Sequence, residues 1–420
     1  MTGASVAGVA KLPRIVILND SSIAKGGATG LATLSAREFA AKGYETVFIT
    51  GDSGDDGALK SAGVDLVPLG GQLLLDRGRL KALRTGVFNA AIRDRIAEYI
   101  TLNDTPETVY HLHGWSRILS PSVFKALQQV ASRTFIHAHD FFLACPNGAY
   151  YNFQQKEVCK LEPLSTKCLM TRCDRRSHPQ KIFRSLRSDM LRKTFDMTLP
   201  WAGVLALDAK MTEPLHRAGI PKELIRTLKN PATRFSEDRI EAEIGDTFCF
   251  IGRVERGKGI AALCEAARIE NVSLRVIGEG ASRVGLQKRY PEVEFTGWVD
   301  KKSISQHLTG ARAVVMPSHT PEPFGLVAAE ATLSGLPIIL SRQALLSEAV
   351  EIFGLGFVVV STSPEDIADV LRKVATLPTD ELRAMSERGF NAEVSLSVRP
   401  VDWLDHLLTL YLGAIQEARV

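Results

Sequence analysis

The sequence predicts an α/β chain built from two Rossmann-like domains, each a doubly wound parallel sheet. Three observations predict it. The chain of 420 residues is longer than one hydrophobic core usually serves. From Thr247 onward, short β-branched runs alternate strictly with helical patterns, the signature of a parallel sheet. The first half begins in the same way.

In the first half, RIVILND (14–20) reads as a strand, followed by a glycine loop, the helical ATLSAREFAAKG (32–43) and a second strand, ETVFIT (45–50). TVYHLHG (108–114) and RTFIHAHD (133–140) are further strands running into histidines. In the second half FCFIGRV, SLRVIGEG, EFTGWV, AVVMPS, PIILS and FVVV each precede a helical pattern. The polar, Pro-containing KNPATRFSEDRIEAEIGD (229–246) is the expected join, so residues 1–233 form one domain and 234–397 the other. Residues 398–420 form a last helix with Leu404, Leu408, Tyr411 and Ile415 on one face, expected to pack back on the first domain. In open parallel sheets ligands bind beyond the carboxyl ends of the strands. A cleft between two such domains would receive loops from both.

Composition is that of an ordinary globular protein, 45% hydrophobic and 23% charged. No run of eighteen apolar residues occurs and the first charge falls at Lys11, so neither a membrane span nor a secretory leader is expected and the chain should stay in the cytoplasm. Charge is divided unevenly. Residues 1–235 hold 32 Lys+Arg against 21 Asp+Glu, the remainder 19 against 26. The first half is therefore suited to an anionic partner such as phosphate, an acidic polymer or a membrane surface.

Chemistry concentrates in TPEPFGLVAAEA (320–331), where a loop enters a helix. Free amides at a helix start attract phosphate or sugar oxygens, and Glu330, in a run of small apolar residues, needs a partner if buried. A ribose, with two adjacent hydroxyls, would satisfy such a carboxylate. In FIGRVERGKGIAAL (250–263), Arg253 and Lys258 follow the first strand of the second domain, where two cations can hold a diphosphate by charge-assisted hydrogen bonds.

In this order and spacing GRVERGKG, VIGEG, FTGWV and PEPFGLVAAEATLSGLP resemble the retaining glycosyltransferases of family 4, which have the GT-B fold. The resemblance covers the second domain and, more loosely, the first. It implies a nucleotide-diphosphate sugar as donor, with Arg253 and Lys258 at its diphosphate in place of a catalytic metal and Gly278 of VIGEG beside it. It implies that Glu322 contacts hydroxyls of the transferred sugar, that the amides of Phe324, Gly325 and Leu326 meet sugar and phosphate, and that Glu330 binds the ribose. In the first domain it places the loop with Gly26 and Gly27 near the diphosphate and His139 near the reacting sugar. The acceptor would be a glycan or lipid-linked molecule and the pathway cell-surface polysaccharide synthesis. For His111 and His113 only proximity to the cleft is expected. The Asp-rich GDSGDDG lies in a polar loop without the apolar strand that presents a metal-binding Asp-x-Asp.

Two features stand apart. Cys145, Cys159, Cys168 and Cys173 fall within 29 residues, and in a reducing compartment clustered thiols suggest a structural zinc rather than disulfides. HPQKIFRSLRSDMLRKTF (178–195) sets Ile182, Phe183, Leu186, Met190 and Phe195 mostly apart from Arg184, Arg187, Arg192 and Lys193, and DRGRLKALRTGVF (76–88) is a second basic stretch. Such helices can lie on anionic membranes, which would suit a peripheral enzyme meeting a lipid-linked acceptor. Two other functions fit parts of the pattern. A nucleotide-sugar epimerase would share the fold, and a zinc-containing nucleic-acid-binding protein would share the pI of about 8.7. The basic stretches, however, lack aromatic interleaving and no finger spacing occurs.

Overall fold

A computed structural model describes residues 12–24, 26–54, 57–76 and 78–419. The leaderless start expected at residues 1–11, Asp55 and Asp56 of the Asp-rich loop, Arg77 and the side chains at 79–81 in the first basic stretch lie outside the described residues. The chain divides into two compact units. One comprises residues 1–148, 161–228 and 404–420, the other 149–160 and 229–403.

The first unit is built on a seven-stranded parallel sheet of β1 (Arg14–Asn19), β2 (Thr46–Thr50), β3 (Asp65–Pro68), β4 (Thr108–Leu112), β5 (Thr134–Ala138), β8 (Gly203–Ala206) and β9 (Ile225–Thr227). Their order is β3-β2-β1-β4-β5-β8-β9. β6 (Tyr151–Asn152) and β7 (Glu157–Val158) form a small antiparallel hairpin that clusters with the second unit. The central strands are buried along almost their whole length. That is why RIVILN and TFIHA read as continuous rather than alternating hydrophobic runs.

The second unit carries a six-stranded parallel sheet of β10 (Thr247–Ile251), β11 (Leu274–Ile277), β12 (Glu294–Gly297), β13 (Ala311–Met316), β14 (Ile338–Ser341) and β15 (Gly356–Val359), ordered β12-β11-β10-β13-β14-β15. Its core joins Phe248, Phe250 and Val315 of the sheet to Leu263, Ala267, Ile367 and Leu371 of the covering helices. In each sheet the strand order reverses once, between β1 and β4 and between β10 and β13. These are the switch points where loops diverge and leave a crevice for ligands.

The last helix, Pro400–Glu417, belongs from Leu404 onward to the first unit. It buries Leu404, Leu407, Tyr411, Ala414 and Ile415, with Leu408 only half-buried. The Tyr411 ring packs near Phe39 and Phe135, and its hydroxyl bonds His111 Nδ1 at 2.6 Å. Among the described residues no helix is long and apolar enough to cross a membrane.

Candidate active site

At the switch point of the second sheet, the loops following β10 and β13 are fastened to each other. Gly259 adopts φ +74°, and a Cβ there would lie 1.9 Å from the Pro317 carbonyl oxygen, so only glycine permits this approach. The His319 amide donates to the Gly257 carbonyl at 3.1 Å. Lys258 Nζ meets Glu322 Oε2 at 2.5 Å, both side chains about three-quarters buried, and the Ser318 hydroxyl reaches the same oxygen at 3.5 Å. Arg253 is mostly exposed and pairs with Glu255 at 3.2 Å. Gly278 follows β11, bridges to Gly297 and abuts the Gly252 carbonyl.

Behind Glu322 the chain enters the helix Leu326–Leu333 through Gly325 at φ +78°. The Ala328 amide closes back on the Gly325 carbonyl at 2.9 Å. The amides of Phe324, Gly325, Leu326 and Val327 meet no protein acceptor among the described residues. They are the orphan donors every helix start leaves. Phe324 itself is 3% exposed and anchors the loop.

Glu330, one turn further, is buried, and its partner is Lys301, Nζ to Oε1 2.5 Å. Lys301 is 60% exposed. Burial therefore outweighs the ion pair and pushes the Glu330 carboxyl above its ordinary range. Lys301 lies in the unremarkable DKKS after the exposed Trp298, and no sequence signal ties it to Glu330.

In the first unit Gly26, in extended conformation, precedes the helix Gly27–Ala41. It is exposed, with open space where a side chain would stand. His139 follows β5 and its Nε2 lies 2.9 Å from His113 Nδ1. His137 Nδ1 lies 3.3 Å from His111 Nε2. The four rings form a stack, with His137 and His139 4.2 Å apart and 4° from parallel. Burial drives all four towards the neutral form, His139 down to about 3. Ring nitrogens of His111, His113 and His137 lie within 4.8 Å of one another, close enough to share an ion.

Sequence reasoning passed over the charged groups beside this stack. Asp20, at the end of β1, accepts the amides of Arg117, Ile118 and Leu119 at 2.7, 2.7 and 2.8 Å. Burial raises the Asp140 carboxyl to about 6. Arg187 is also buried, stacks over Trp115 at 5.1 Å and donates to the Ser116 carbonyl. The division expected along helix His178–Thr194 is thereby corrected. Lys181 and Arg187 face inward while Ile182 and Leu186 are 50% and 58% exposed. An interior containing Asp20 and Asp140 can hold a guanidinium, whereas among the described residues those two apolar side chains are left about half uncovered.

The cysteines lie apart from both switch points in sequence. Cys168 and Cys173 approach Lys181 Nζ at 3.4 and 3.3 Å, and Cys145 bonds Asn147 at 3.1 Å. The Cys159 amide donates to the Tyr150 carbonyl behind the β6–β7 hairpin. No three of these sulfurs lie close enough together to share an ion, so the structural zinc expected from their clustering does not fit these residues.

Residues 234–392, which contain the two fastened loops, match the family described as Glycosyl transferases group 1. That part of the chain belongs to this family. Curated proteins are similar over about a third of the chain. An uncharacterized 41.2 kDa protein in the cps region of Klebsiella pneumoniae is 30% identical over 146 residues, 32% of this chain and 40% of that protein. A glycogen synthase of Mycobacterium tuberculosis (strain CDC 1551 / Oshkosh) is 34% identical over 165 residues, 37% of this chain and 38% of that enzyme. The chain thus spans about two fifths of the length of the curated relatives it matches. Among solved structures, Anabaena HepE in complex with UDP and glucose superposes with a TM-score of 0.65 over 94% of this chain and 98% of that one, at 16% identity. At that identity the likeness shows the fold alone, and it is the GT-B fold of two Rossmann-like domains. The fold expected from the sequence is the one found, and the motifs that carry the family resemblance all fall within the matched residues.

Proposed function

We propose that this chain is a retaining glycosyltransferase moving a hexose from a nucleotide-diphosphate sugar to a glycan or lipid-linked acceptor in cell-surface polysaccharide synthesis. One observation carries the reading. At the second switch point a lysine and a glutamate in contact stand in the same loops as four unpaired amides at a helix start. Cations and free amides suit a diphosphate, and a carboxylate beside them suits sugar hydroxyls.

In this reading Lys258 and Arg253 take the charge that grows on the departing diphosphate, a role strongest where water is scarce. Arg253, exposed and paired with Glu255 alone, turns towards phosphate at little cost. Glu322 and the amides of Phe324, Gly325 and Leu326 hold the sugar and its phosphate, with Gly278 giving the donor room. Glu330 exchanges the Lys301 ammonium for the ribose hydroxyls. For the first unit by itself, the reading gives the loop at Gly26 and Gly27 a phosphate to approach and His139, as a neutral donor, a sugar hydroxyl. Retention follows if the acceptor attacks from the face the diphosphate leaves, its proton passing to that phosphate. No protein nucleophile is then required. The HepE complex holds UDP and glucose, which supports a nucleotide-sugar donor here.

The exposed Ile182 and Leu186, on a helix that also exposes Arg192 and Lys193, support peripheral contact with an anionic membrane, at its inner face. A thermal-shift panel of UDP-, GDP- and ADP-sugars tests the function. The cognate donor stabilises by the mass-action amount, and nucleotide is released only when acceptor is present. A panel in which no nucleotide sugar raises the melting temperature overturns the proposal. Release without acceptor, or epimerised sugar, favours the epimerase instead.

A further inference from the structure

We infer that His113 is a positioning residue for the transfer reaction: its Nδ1–H holds the His139 ring in the form whose proton sits on Nδ1, and that proton is the one offered to the sugar hydroxyl. The sugar in this inference rests on the transferase reading. The place of the proton rests on the geometry of the first unit alone.

Histidines spaced by two along a strand share one face of the sheet. His111 and His113 come from β4 and the residue after it, His137 and His139 from β5 and the residue after it, and the two strands are neighbours. His113 is 3% exposed, whereas His139 is half-buried. Two contacts fix the His139 ring. The His137 ring, 4.2 Å away and 4° from parallel, sets its plane. His113 Nδ1, 2.9 Å from its Nε2, sets its direction. Among the described residues His139 Nδ1 meets no protein group, so that nitrogen is the one left for a ligand.

A neutral imidazole carries one N–H, and burial keeps both rings neutral. One proton therefore lies between the two facing nitrogens and belongs to one ring or the other. His113 Nε2 decides which. It is buried and has no hydrogen-bond partner among the described residues. Were the shared proton on His139, His113 would carry its own on Nε2, as an orphaned N–H in the interior. Buried N–H groups without an acceptor are rarer than acceptors without a donor, because nothing replaces the water they lose. The proton of His113 sits on Nδ1 instead and is donated to His139 Nε2. That nitrogen accepts, so the single proton of the His139 ring is left on Nδ1. A free neutral histidine prefers its proton on Nε2, and the reversed form persists only while a neighbour imposes it. A sugar hydroxyl arriving at His139 then finds a donor rather than a lone pair.

Two-bond ¹H–¹⁵N correlation spectra of the full chain labelled with ¹⁵N-histidine read the proton's place without any substrate. The His113 and His139 signals are identified by their loss in His113→Asn and His139→Asn, and both rings of the unaltered chain are expected in the Nδ1–H form. In His113→Leu the His139 ring should revert to the Nε2–H form. Turnover with the cognate nucleotide sugar should then fall about tenfold, as when one neutral hydrogen bond is lost, with the donor KM within about twofold. His113→Asn, which keeps an N–H near the place of Nδ1, should preserve the Nδ1–H form of His139 and most of the rate. Because His113→Leu could fail to fold, the spectra of the unaltered chain stand as a test by themselves. An Nε2–H form of His139 there overturns the inference, as does a folded His113→Leu chain at full rate. Failure to turn over any nucleotide sugar would instead remove the transferase reading, with the spectra still deciding where the proton sits.

Discussion

Lys258 and Glu322 touch at 2.5 Å although 64 residues separate them, because the loops that carry them leave neighbouring strands, β10 and β13. An ion pair that solvent still reaches contributes little to stability, so its value lies in what it presents. Lys258→Ala is expected to lower turnover by about 10²–10³-fold, the usual loss when one donor to developing charge is removed. Its melting temperature should stay within a degree or two of the unaltered chain's. Initial rates of nucleotide release and a thermal melt check both. A Lys258→Ala chain at full rate removes the lysine from the reaction.

Glu330 separates binding from folding. Burial raises its carboxyl in the folded chain, so the sign runs against the ionised group: protonation favours the fold at low pH, and that contribution is lost as pH rises through the raised value. Glu330→Gln should therefore be as stable as the parent at pH 7.5 or more so. It should bind donor about tenfold or more weakly, as when a charged acceptor is lost. Melts between pH 4 and 8, with donor titrations, read the two effects independently.

The histidine stack predicts acid sensitivity. His111, His113, His137 and His139 are held neutral by burial, their folded values depressed. The stability they supply is present above the ordinary histidine value of about 6.5 and lost as pH falls towards the folded values. Asp140, raised to about 6, opposes this, because its carboxyl gains protons on folding between about 4 and 6. Asp140→Asn should steepen the loss of melting temperature between pH 6.5 and 5, and an unchanged slope would show that Asp140 does not titrate there.

Tyr411→Phe should destabilise the first unit by about 1–3 kcal/mol, because it strands the buried Nδ1 of His111 without its partner. The shift should appear in urea unfolding followed by fluorescence. No change would mean that water replaces the hydroxyl.

Replacing Ile182 and Leu186 together by Glu should abolish sedimentation with phosphatidylglycerol vesicles while leaving the melting temperature unchanged, since both side chains are half-exposed. Equal sedimentation of the two proteins would place any membrane contact elsewhere.

Both sheets were legible because a strand buried on both faces is a continuous apolar run, as in FCFI and AVVM. The loops with Lys258 and Glu322 were legible because charged residues and glycine interrupt those runs at strand ends. The partner of Glu330 was not, since Lys301 lies 29 residues away and ion pairing leaves no periodicity. Nor was the burial of Arg187 and Lys181. A helix carrying apolar and basic residues on two sides does not reveal which side turns inward, and the answer depends on Asp20, far back in the chain, and on Cys168 and Cys173 in the preceding loop.

The return of the final helix to β4, through Tyr411 and His111, has a consequence for biogenesis. A nascent chain emerging from the ribosome can assemble the second unit's sheet while the opening sheet still lacks its closing stave. The apolar flank of that sheet stays open to chaperones until residues 404–419 leave the exit tunnel.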